Sequence, residues 1–261
     1  MEPLPPATAT KLPPEPPAQP DRTAGRQALI AYAVVAVAVT GLVRINVTLP
    51  AIGHLGSALV SVVFLYAPIL FLAKFRNEDI VDYGFRWEPL GKSLATAATA
   101  ILIIFPIFAL GYFAFYEIAC HSKLLAHLVP RNMCVHYPGL HGAHAPRLNM
   151  AFVEFVLVQL LVVALPEELF FRGFLLGLLE KRFPPKRRIL GGGVGLALVL
   201  SSLAFAVIHL PKDGDPRVLA TFFPGLLFGW MRSRTKSIVA STVTHGCSNI
   251  LIRLLDLTVM R

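Results

Sequence analysis

Two adjacent carboxylates lie inside a long apolar run, where charged side chains need a partner, water or a task. Glu167 and Glu168 fall within the run 149–179, and Arg172 follows four residues after Glu168. A charge in the hydrocarbon core of a bilayer costs roughly 2.5–3.5 kcal/mol even on a lenient insertion scale. Glu168 and Arg172 share one helix face and can pair with each other. Glu167 lies about 100° round the helix without a local partner, so we expect it to carry the chemistry.

Two further polar clusters interrupt apolar runs. His209 ends the run 195–210, and His245 lies in the middle of the run 237–256. Asn249 follows His245 by four residues, so both side chains project from one helix face. A lone intramembrane His or Asn is often a hydrogen-bonding contact between helices, and that structural reading stays open for each cluster taken singly.

The three clusters are predicted to reach overlapping depths in the membrane. Counted from the nearest basic connection at the helical rise, Glu167 and His209 both lie roughly 21 Å deep and His245 roughly 13 Å. Three separate helices would then bring polar groups together on one side of the midplane. Cys247, two residues after His245, points about 200° away from it, which argues against a Cys–His nucleophilic pair.

The composition is typical of a membrane protein. Of 261 residues, 55% are hydrophobic and 15% charged, and the mean hydropathy is +0.65, whereas soluble domains carry closer to a quarter charged residues. A net charge of +9 would suggest a nucleic-acid partner in a soluble protein. Here the Lys and Arg residues lie mostly in short connections between apolar runs, so topology explains them better and no nucleic-acid partner is expected.

Seven apolar runs predict an all-α fold, a polytopic membrane helical bundle of about seven transmembrane helices with a four-helix catalytic core. The short run 217–231 is expected to be tilted, re-entrant or packed inside the bundle. Pro166 is expected to bend the long run or to start a second helical segment. The runs are 27–43, 54–73, 93–116, 149–179, 195–210, 217–231 and 237–256.

The chain divides into three parts. Residues 1–26 form a Pro-rich, disordered cytosolic tail, residues 27–148 hold N-terminal membrane helices and a long outer loop, and residues 149–256 form the catalytic membrane core. With the N-terminus inside, 15 of the 24 Lys and Arg residues fall on the cytosolic side and eight outside. This bias predicts an N-in, C-out integral membrane protein. The residue usage favours a bacterial plasma membrane.

The outer loop 117–148 holds five of the eight histidines together with Cys120 and Cys134. A metal site or a Cys120–Cys134 disulfide is conceivable there. A polar loop that covers the mouth of the bundle is the favoured reading, because the spacing matches no zinc pattern. The histidines are His121, His127, His136, His141 and His144.

In order along the chain, the three clusters resemble the motifs of the CAAX-protease and bacteriocin-processing (CPBP, Abi) family of intramembrane endopeptidases, which includes the Ras-converting CAAX endopeptidase. The resemblance covers about residues 149–256 and includes the flanking sequence Glu-Glu-Leu-Phe-Phe-Arg-Gly. The motifs are Glu167-Glu168-x-x-x-Arg172, Phe205-x-x-x-His209 and His245-x-x-x-Asn249.

The resemblance implies an all-α membrane fold whose last four helices enclose a water-filled, cytosol-facing catalytic cavity. By motif position, Glu167 would be the general base that activates water, with His209 assisting. His245 and Asn249 would form the oxyanion hole. Peptide hydrolysis needs such a base and such preorganised donors.

Glu168 and Arg172 would support the site by holding the helix and orienting Glu167. The substrate implied is a lipid-modified or membrane-anchored protein or peptide, cut near its C-terminus within the lipid bilayer. No cofactor is expected. Zinc is the alternative, since a Glu with two His is also the ligand set of a catalytic zinc, although the His-Glu-x-x-His pattern is absent.

Two other functions compete with proteolysis. A non-catalytic membrane scaffold or immunity protein would use the polar residues only for packing. A proton-coupled transporter would use Glu167 and the histidines as a relay. The chain shows no internal repeat between its halves, which argues against the transporter.

Overall fold

A computed structural model describes residues 20–49, 53–122, 125, 133–146 and 148–259. Most of the predicted tail (1–19) therefore lies outside the described residues. Helix α1 begins at Arg22, so the predicted boundary at residue 26 is one turn too late. The Asp21 side chain explains the earlier start, because it accepts a hydrogen bond from the Ala24 backbone N–H at 3.0 Å and caps the helix.

The described chain is almost entirely helical, which confirms the all-α fold. Each of the seven predicted apolar runs lies mostly in a helix, although the run 195–210 extends past the helix Leu196–Val207 and the run 217–231 begins in the 3-10 turn Pro216–Thr221. The helices are α1 (Arg22–Leu42), α2 (Leu55–Phe75), α3 (Leu90–His121), α4 (Met133–His136), α5 (Met150–Arg182), α6 (Leu196–Val207), α7 (Leu210–Asp213), α8 (Phe222–Thr235) and α9 (Val239–Val259). Short 3-10 turns cover Ile80–Tyr83, Leu140–Gly142 and Pro216–Thr221.

Two short antiparallel hairpins complete the described structure. Strand β1 (Thr48–Leu49) pairs with β2 (Gly53–His54), and β3 (Arg187–Ile189) pairs with β4 (Gly192–Val194). The second hairpin connects α5 to α6. It rests on α8, because Trp230 Nε1 donates to the Ile189 carbonyl at 2.8 Å and the Gly193 N–H donates to Ser233 Oγ at 2.8 Å.

Among the described residues, four helices are long and apolar enough to cross a membrane: α1, α2, α3 and α5. Helix α6 is apolar but shorter. Helix α8 has 14 residues, or roughly 21 Å at the helical rise, as the shortness of its run predicted. Helix α9 has 21 residues and is long enough to cross a membrane, but its polar residues, His245 and Asn249 among them, lower its mean hydropathy. The molecule is a membrane helical bundle with helices of unequal reach.

The long helix continues through Pro166, which lies in the first turn of a separate α-helical segment, as one of the two expectations had it. Helix α5 is continuous, and two π-helical stretches, Val158–Ala164 and Leu169–Leu175, flank the α-helical turn Leu165–Glu168 that holds Pro166. A proline removes one backbone donor and crowds the preceding turn, and the wider π turn accommodates both effects. Such π segments occur often at functional sites, and here they flank the turn that carries both carboxylates.

A polar network fixes one end of the bundle, here called the basic end, where α2, α5 and the hairpin β3–β4 meet. Glu78 accepts hydrogen bonds from Arg76 at 2.9 Å, from Lys181 at 2.7 Å and from the Tyr83 hydroxyl. Burial opposes ionisation of Glu78, but these three donors outweigh it and lower the pKa of this carboxyl to about 2. The network ties the connection after α2 to the last turn of α5.

A disulfide marks the opposite end, here called the disulfide end. Cys120, in the last turn of α3, is bonded to Cys134 of α4. The bridge decides between the alternatives for the 117–148 loop, which is cross-linked rather than a plain polar cover. Backbone contacts join the loop to α9, since the His144 N–H donates to the Thr258 carbonyl at 3.0 Å.

Candidate active site

Glu168 is fully buried and pairs with Arg172, as their four-residue spacing predicts. Glu168 Oε1 lies 3.1 Å from Arg172 Nη1, and both side chains are at most 1% exposed. The Arg172 guanidinium also stacks 3.9 Å from the centroid of the Phe205 ring and 5.2 Å from that of Phe228. A buried ion pair held between two aromatic rings is a rigid support for the turn that carries Glu167.

Two glycines of α8 allow its close approach to this support. A Cβ on Gly225 would lie 3.2 Å from Ser202 Cβ and 3.4 Å from Arg172 Nη2. A Cβ on Gly229 would lie 2.4 Å from Leu198 Cδ1. The Gly-x-x-x-Gly spacing therefore serves close contact between α6 and α8.

His245 contacts both carboxylates through its two ring nitrogens. Its Nδ1 lies 3.0 Å from Glu168 Oε1, and its Nε2 lies 3.9 Å from Glu167 Oε2. Because the ion-paired Glu168 carboxylate only accepts, Nδ1 carries the proton. The ring stacks on Phe228, with centroids 5.1 Å apart and planes 17° apart. The imidazole is thereby fixed in tautomer and orientation, with Nε2 directed to Glu167.

His209 lies just beyond the end of α6 and lines the same cavity as Glu167 and His245. Its Nδ1 lies 2.7 Å from the Phe205 carbonyl, which only accepts, so this nitrogen is also protonated. Its Nε2 makes no hydrogen bond to the described residues. The structure thus brings His209 to the cavity wall, but it places His245 rather than His209 next to the carboxylates.

Asn249 lines the cavity one turn beyond His245 and is held by a residue that the sequence analysis missed. Its Nδ2 donates to Gln159 Oε1 at 2.9 Å. Gln159 lies on the first π-helical stretch of α5 and lines the same cavity. The signal was present, since Gln159 is the one amide between residues 150 and 179, and such a residue needs a hydrogen-bond partner at membrane depth.

These side chains surround a cavity of about 600 Å³, a size that suits a bound peptide segment. Its polar groups come from α5, the end of α6 and α9. Its apolar wall comes from α3, through Ile104, Phe105 and Phe108, and from the first turns of α8. A few polar groups on a mostly apolar surface are typical of a ligand site.

Comparison with known protein families finds a match for the part of the chain that supplies the polar groups of this cavity. Residues 149–251 match the family model described as type II CAAX prenyl endopeptidase Rce1-like. The chain is similar to this family over that range, which is less than half of its length. The matched range contains every polar group of the cavity named above. No curated protein and no solved structure matches the chain.

This similarity supports a peptidase of the CAAX intramembrane endopeptidase type. In the part of the chain that the structure describes, no three His, Cys, Asp or Glu side chains come together as possible ligands of a metal ion such as zinc. Of the five loop histidines, His127 lies outside the described residues.

Proposed function

We propose that the chain hydrolyses a peptide bond near the C-terminus of a lipid-modified or membrane-anchored protein or peptide, with Glu167 activating water. His245 and Asn249 stabilise the oxyanion, and His209 assists. The observation that carries this proposal is the position of His245, whose ring nitrogens lie 3.0 Å and 3.9 Å from two different carboxylates. The residue usage supports a bacterial plasma membrane. The bias of Lys and Arg between the connections supports a cytosolic N-terminus.

Charge balance explains why this arrangement suits catalysis. Two carboxylates and the Arg172 guanidinium leave one net negative charge in an apolar interior, where an uncompensated charge is costly. One additional proton restores neutrality. Glu168 is already paired with Arg172 and with His245 Nδ1, so either Glu167 or His245 Nε2 carries this proton.

The position of that proton creates both catalytic groups at once. When it is on His245 Nε2, Glu167 is an ionised base and His245 is a donor to a developing oxyanion. Glu167 Oε2 has no hydrogen-bond partner within the described structure, so it retains the capacity to accept a proton from water. The separation of 3.9 Å from His245 is too long for a direct hydrogen bond.

The reaction follows from these roles. Water attacks the carbonyl carbon while Glu167 takes its proton, and the carbonyl oxygen becomes an oxyanion that accepts hydrogen bonds from His245 Nε2 and Asn249 Nδ2. Collapse of the intermediate breaks the C–N bond, and Glu167 returns its proton to the leaving amine. His209, whose Nε2 makes no hydrogen bond to the described residues, accepts a hydrogen bond from the attacking water and orients it.

Substitution of the proposed residues tests this function. We expect Glu167→Gln, His209→Ala and His245→Ala each to abolish cleavage of membrane-anchored peptides in proteoliposomes, with normal membrane insertion. Glu154→Gln is the matched control, because Glu154 is an exposed carboxylate on the same helix and does not line the cavity. A Glu167→Gln variant that still cleaves would refute the assignment of this base, and variants that all fail to insert would favour a packing role.

A further inference from the structure

Four basic side chains come together at the basic end of the bundle, and we call them the basic patch: Arg86, Arg188, Arg234 and Lys236. They come from the connection before α3, from the hairpin β3–β4 and from the end of α8. Hydrogen bonds join these segments, because Arg86 Nε donates to the Lys236 carbonyl at 3.0 Å and Arg234 Nη1 donates to the Leu190 carbonyl. Segments that are far apart in sequence therefore place their charges side by side.

The positive charges of the basic patch act on one another. Desolvation lowers the pKa of the Lys236 ammonium, against the attraction of Glu180. The positive charges of Arg232, Arg188 and Arg86 lower this pKa further. The basic patch therefore holds a local excess of positive charge, which favours an anionic partner.

The carboxylates that pack into this end of the bundle have other partners. Glu180 Oε2 lies 2.9 Å from Arg232 Nη1. Glu78 pairs with Arg76 and with Lys181. Throughout the described structure, no carboxylate forms an ion pair with a member of the basic patch. The counter-charge must therefore come from outside these residues.

The guanidinium groups of the basic patch are held in place but keep unused donors. Arg86, Arg188 and Arg234 each donate one N–H to a backbone carbonyl. A guanidinium carries five N–H donors in a planar fork, so most of them make no hydrogen bond to the described residues. Such forks bind phosphate groups through two parallel hydrogen bonds. An anchored cluster of guanidinium groups suits a partner that carries a phosphate.

Exposed apolar side chains border the basic patch. Trp87, which follows Arg86, and Leu190, at the turn of the hairpin, are both 76% exposed. Leu190 also holds a left-handed φ of 48°, which is uncommon for a residue other than glycine. Cations beside a tryptophan and an aliphatic side chain are typical of a membrane interface. A soluble polyanion would neutralise the charges but leave these apolar side chains in water.

The basic patch lies where the apolar helices end, at the level of the lipid headgroups. Among the candidate spans, α2 ends at Phe75, α3 begins at Leu90 and α5 ends at Arg182. Topology accounts for basic residues in the connections at one end of a bundle, but it does not require them to lie in contact. We propose that the basic patch binds the phosphate of an anionic lipid headgroup, with Trp87 and Leu190 in the adjoining apolar region. This inference does not depend on the proposed function.

Tryptophan fluorescence tests the binding, because the two tryptophans of the chain, Trp87 and Trp230, both lie at the basic patch. Trp230 Nε1 donates to the Ile189 carbonyl, and the Arg234 guanidinium lies 5.5 Å from the centroid of the Trp230 ring. The full chain is reconstituted in vesicles of phosphatidylcholine and phosphatidylglycerol. In two matched preparations, an equal fraction of either the zwitterionic or the anionic lipid carries bromine, which quenches tryptophan on contact.

We expect brominated phosphatidylglycerol to quench with an apparent association constant at least roughly fivefold above that of brominated phosphatidylcholine, the effect of one basic side chain near an anionic surface. Equal quenching by the two lipids overturns the proposal. This comparison uses the native chain, so it stands even where a variant fails to fold.

Removal of two charges locates the binding. Arg188→Gln/Lys236→Gln should bring the ratio of the two association constants close to one. Arg44→Gln/Arg253→Gln removes two exposed cations near the other ends of α1 and α9 and should keep the ratio of the native chain. An equal loss in both double variants would show an effect of net charge and would contradict binding at the basic patch.

Salt and soluble anions identify the occupant. At 1 M NaCl the Debye length is about 3 Å, so the preference for the anionic lipid should fall several-fold. A preference that salt leaves unchanged contradicts a charge-based contact. Inorganic phosphate and polyglutamate, each compared with NaCl at equal ionic strength, should cause no further loss. Abolition of the preference by either one would assign the basic patch to a soluble anion and overturn the lipid proposal.

Discussion

His245 Nδ1 donates to the buried carboxylate of Glu168 at 3.0 Å across a separation of 77 residues. This bond joins α9 to α5 at the ion pair of Glu168 with Arg172. Glu168 thus has two partners: release of Arg172 would leave a buried charge, and release of His245 would leave a buried N–H without an acceptor. Its place is behind the reacting groups, where it fixes the His245 ring and leaves Glu167 free.

Removing the Glu168 charge is expected to destabilise the fold. Glu168→Gln leaves Arg172 buried without a counter-charge, a loss of roughly 3–5 kcal/mol. We expect a lower melting temperature in detergent and loss of cleavage. The double variant Glu168→Gln/Arg172→Met should recover folding, because no unpaired guanidinium remains buried, but not cleavage, because a neutral amide holds the His245 ring less strongly than the Glu168 carboxylate does. Full recovery of cleavage by the double variant would contradict the proposed role of the pair.

Gln159 is expected to position Asn249 for the oxyanion. Gln159→Met keeps the side-chain volume but removes the acceptor for Asn249 Nδ2, so the amide is free to turn. We expect kcat to fall roughly 10–100-fold, somewhat less than loss of a whole oxyanion donor, with KM little changed. Gln159→Glu keeps an acceptor oxygen of the same reach and should retain more activity than Gln159→Met. Equal losses in both variants would argue against positioning.

The spacing of residues predicted which side chains lie on one face of a helix, but not which side chains of different helices come into contact. Four-residue spacing placed Glu168 with Arg172 and His245 with Asn249 on common faces, because the α-helical period fixes angles within one helix. The contact of His245 with Glu168 joins two helices, which no period describes. The π-helical stretches of α5 change the angle per residue. The contact of Gln159 with Asn249 therefore could not be predicted from the period of a regular α-helix.

Long-range packing also decided what the basic connections could not. The count of Lys and Arg residues predicted an orientation for the chain, but it could not predict which parts of the bundle are packed and which line the cavity. The unbroken buried stretch from Glu168 to Leu179 reads in sequence as a uniform apolar run. The contact of Gly177 with Tyr83 and the ion pair of the following Glu180 with Arg232 show how tightly it packs.

Gly246 is expected to tolerate no side chain. A Cβ there would lie 2.4 Å from Leu160 Cδ2 and 3.3 Å from Leu160 Cα, so Gly246→Ala must push α9 away from α5. Because His245 is the adjacent residue, we expect a loss of activity larger than the loss of melting temperature. Gly111→Ala is the control, since nothing lies within 4 Å of its Cβ position. It should gain roughly 0.5–1 kcal/mol from helix propensity.

Chelation is expected to leave cleavage unchanged, since every proposed step uses side chains of the chain. The test compares activity before and after a strong zinc chelator, with metal content measured on the same preparation. Loss of activity that returns on addition of zinc alone would favour the zinc alternative. A matched preparation of Glu167→Gln, inactive in both states, controls for a contaminating metalloprotease.

Acid is expected to weaken the basic end through Glu78. Its ordinary pKa near 4.5 falls to about 2 in the fold, so its stabilising contribution is present above pH 4.5 and disappears as the pH falls from 4.5 toward 2. Glu78→Gln should lower the melting temperature at pH 7 by roughly 3–8 °C, at about 2–4 °C per kcal/mol, and should flatten the acid part of the stability profile. Glu88→Gln, an exposed carboxylate in the same connection, is the control and should change neither. An unaltered acid profile in Glu78→Gln would show that the contacts of Arg76, Lys181 and Tyr83 with this carboxylate do not hold the end of α2 to α5.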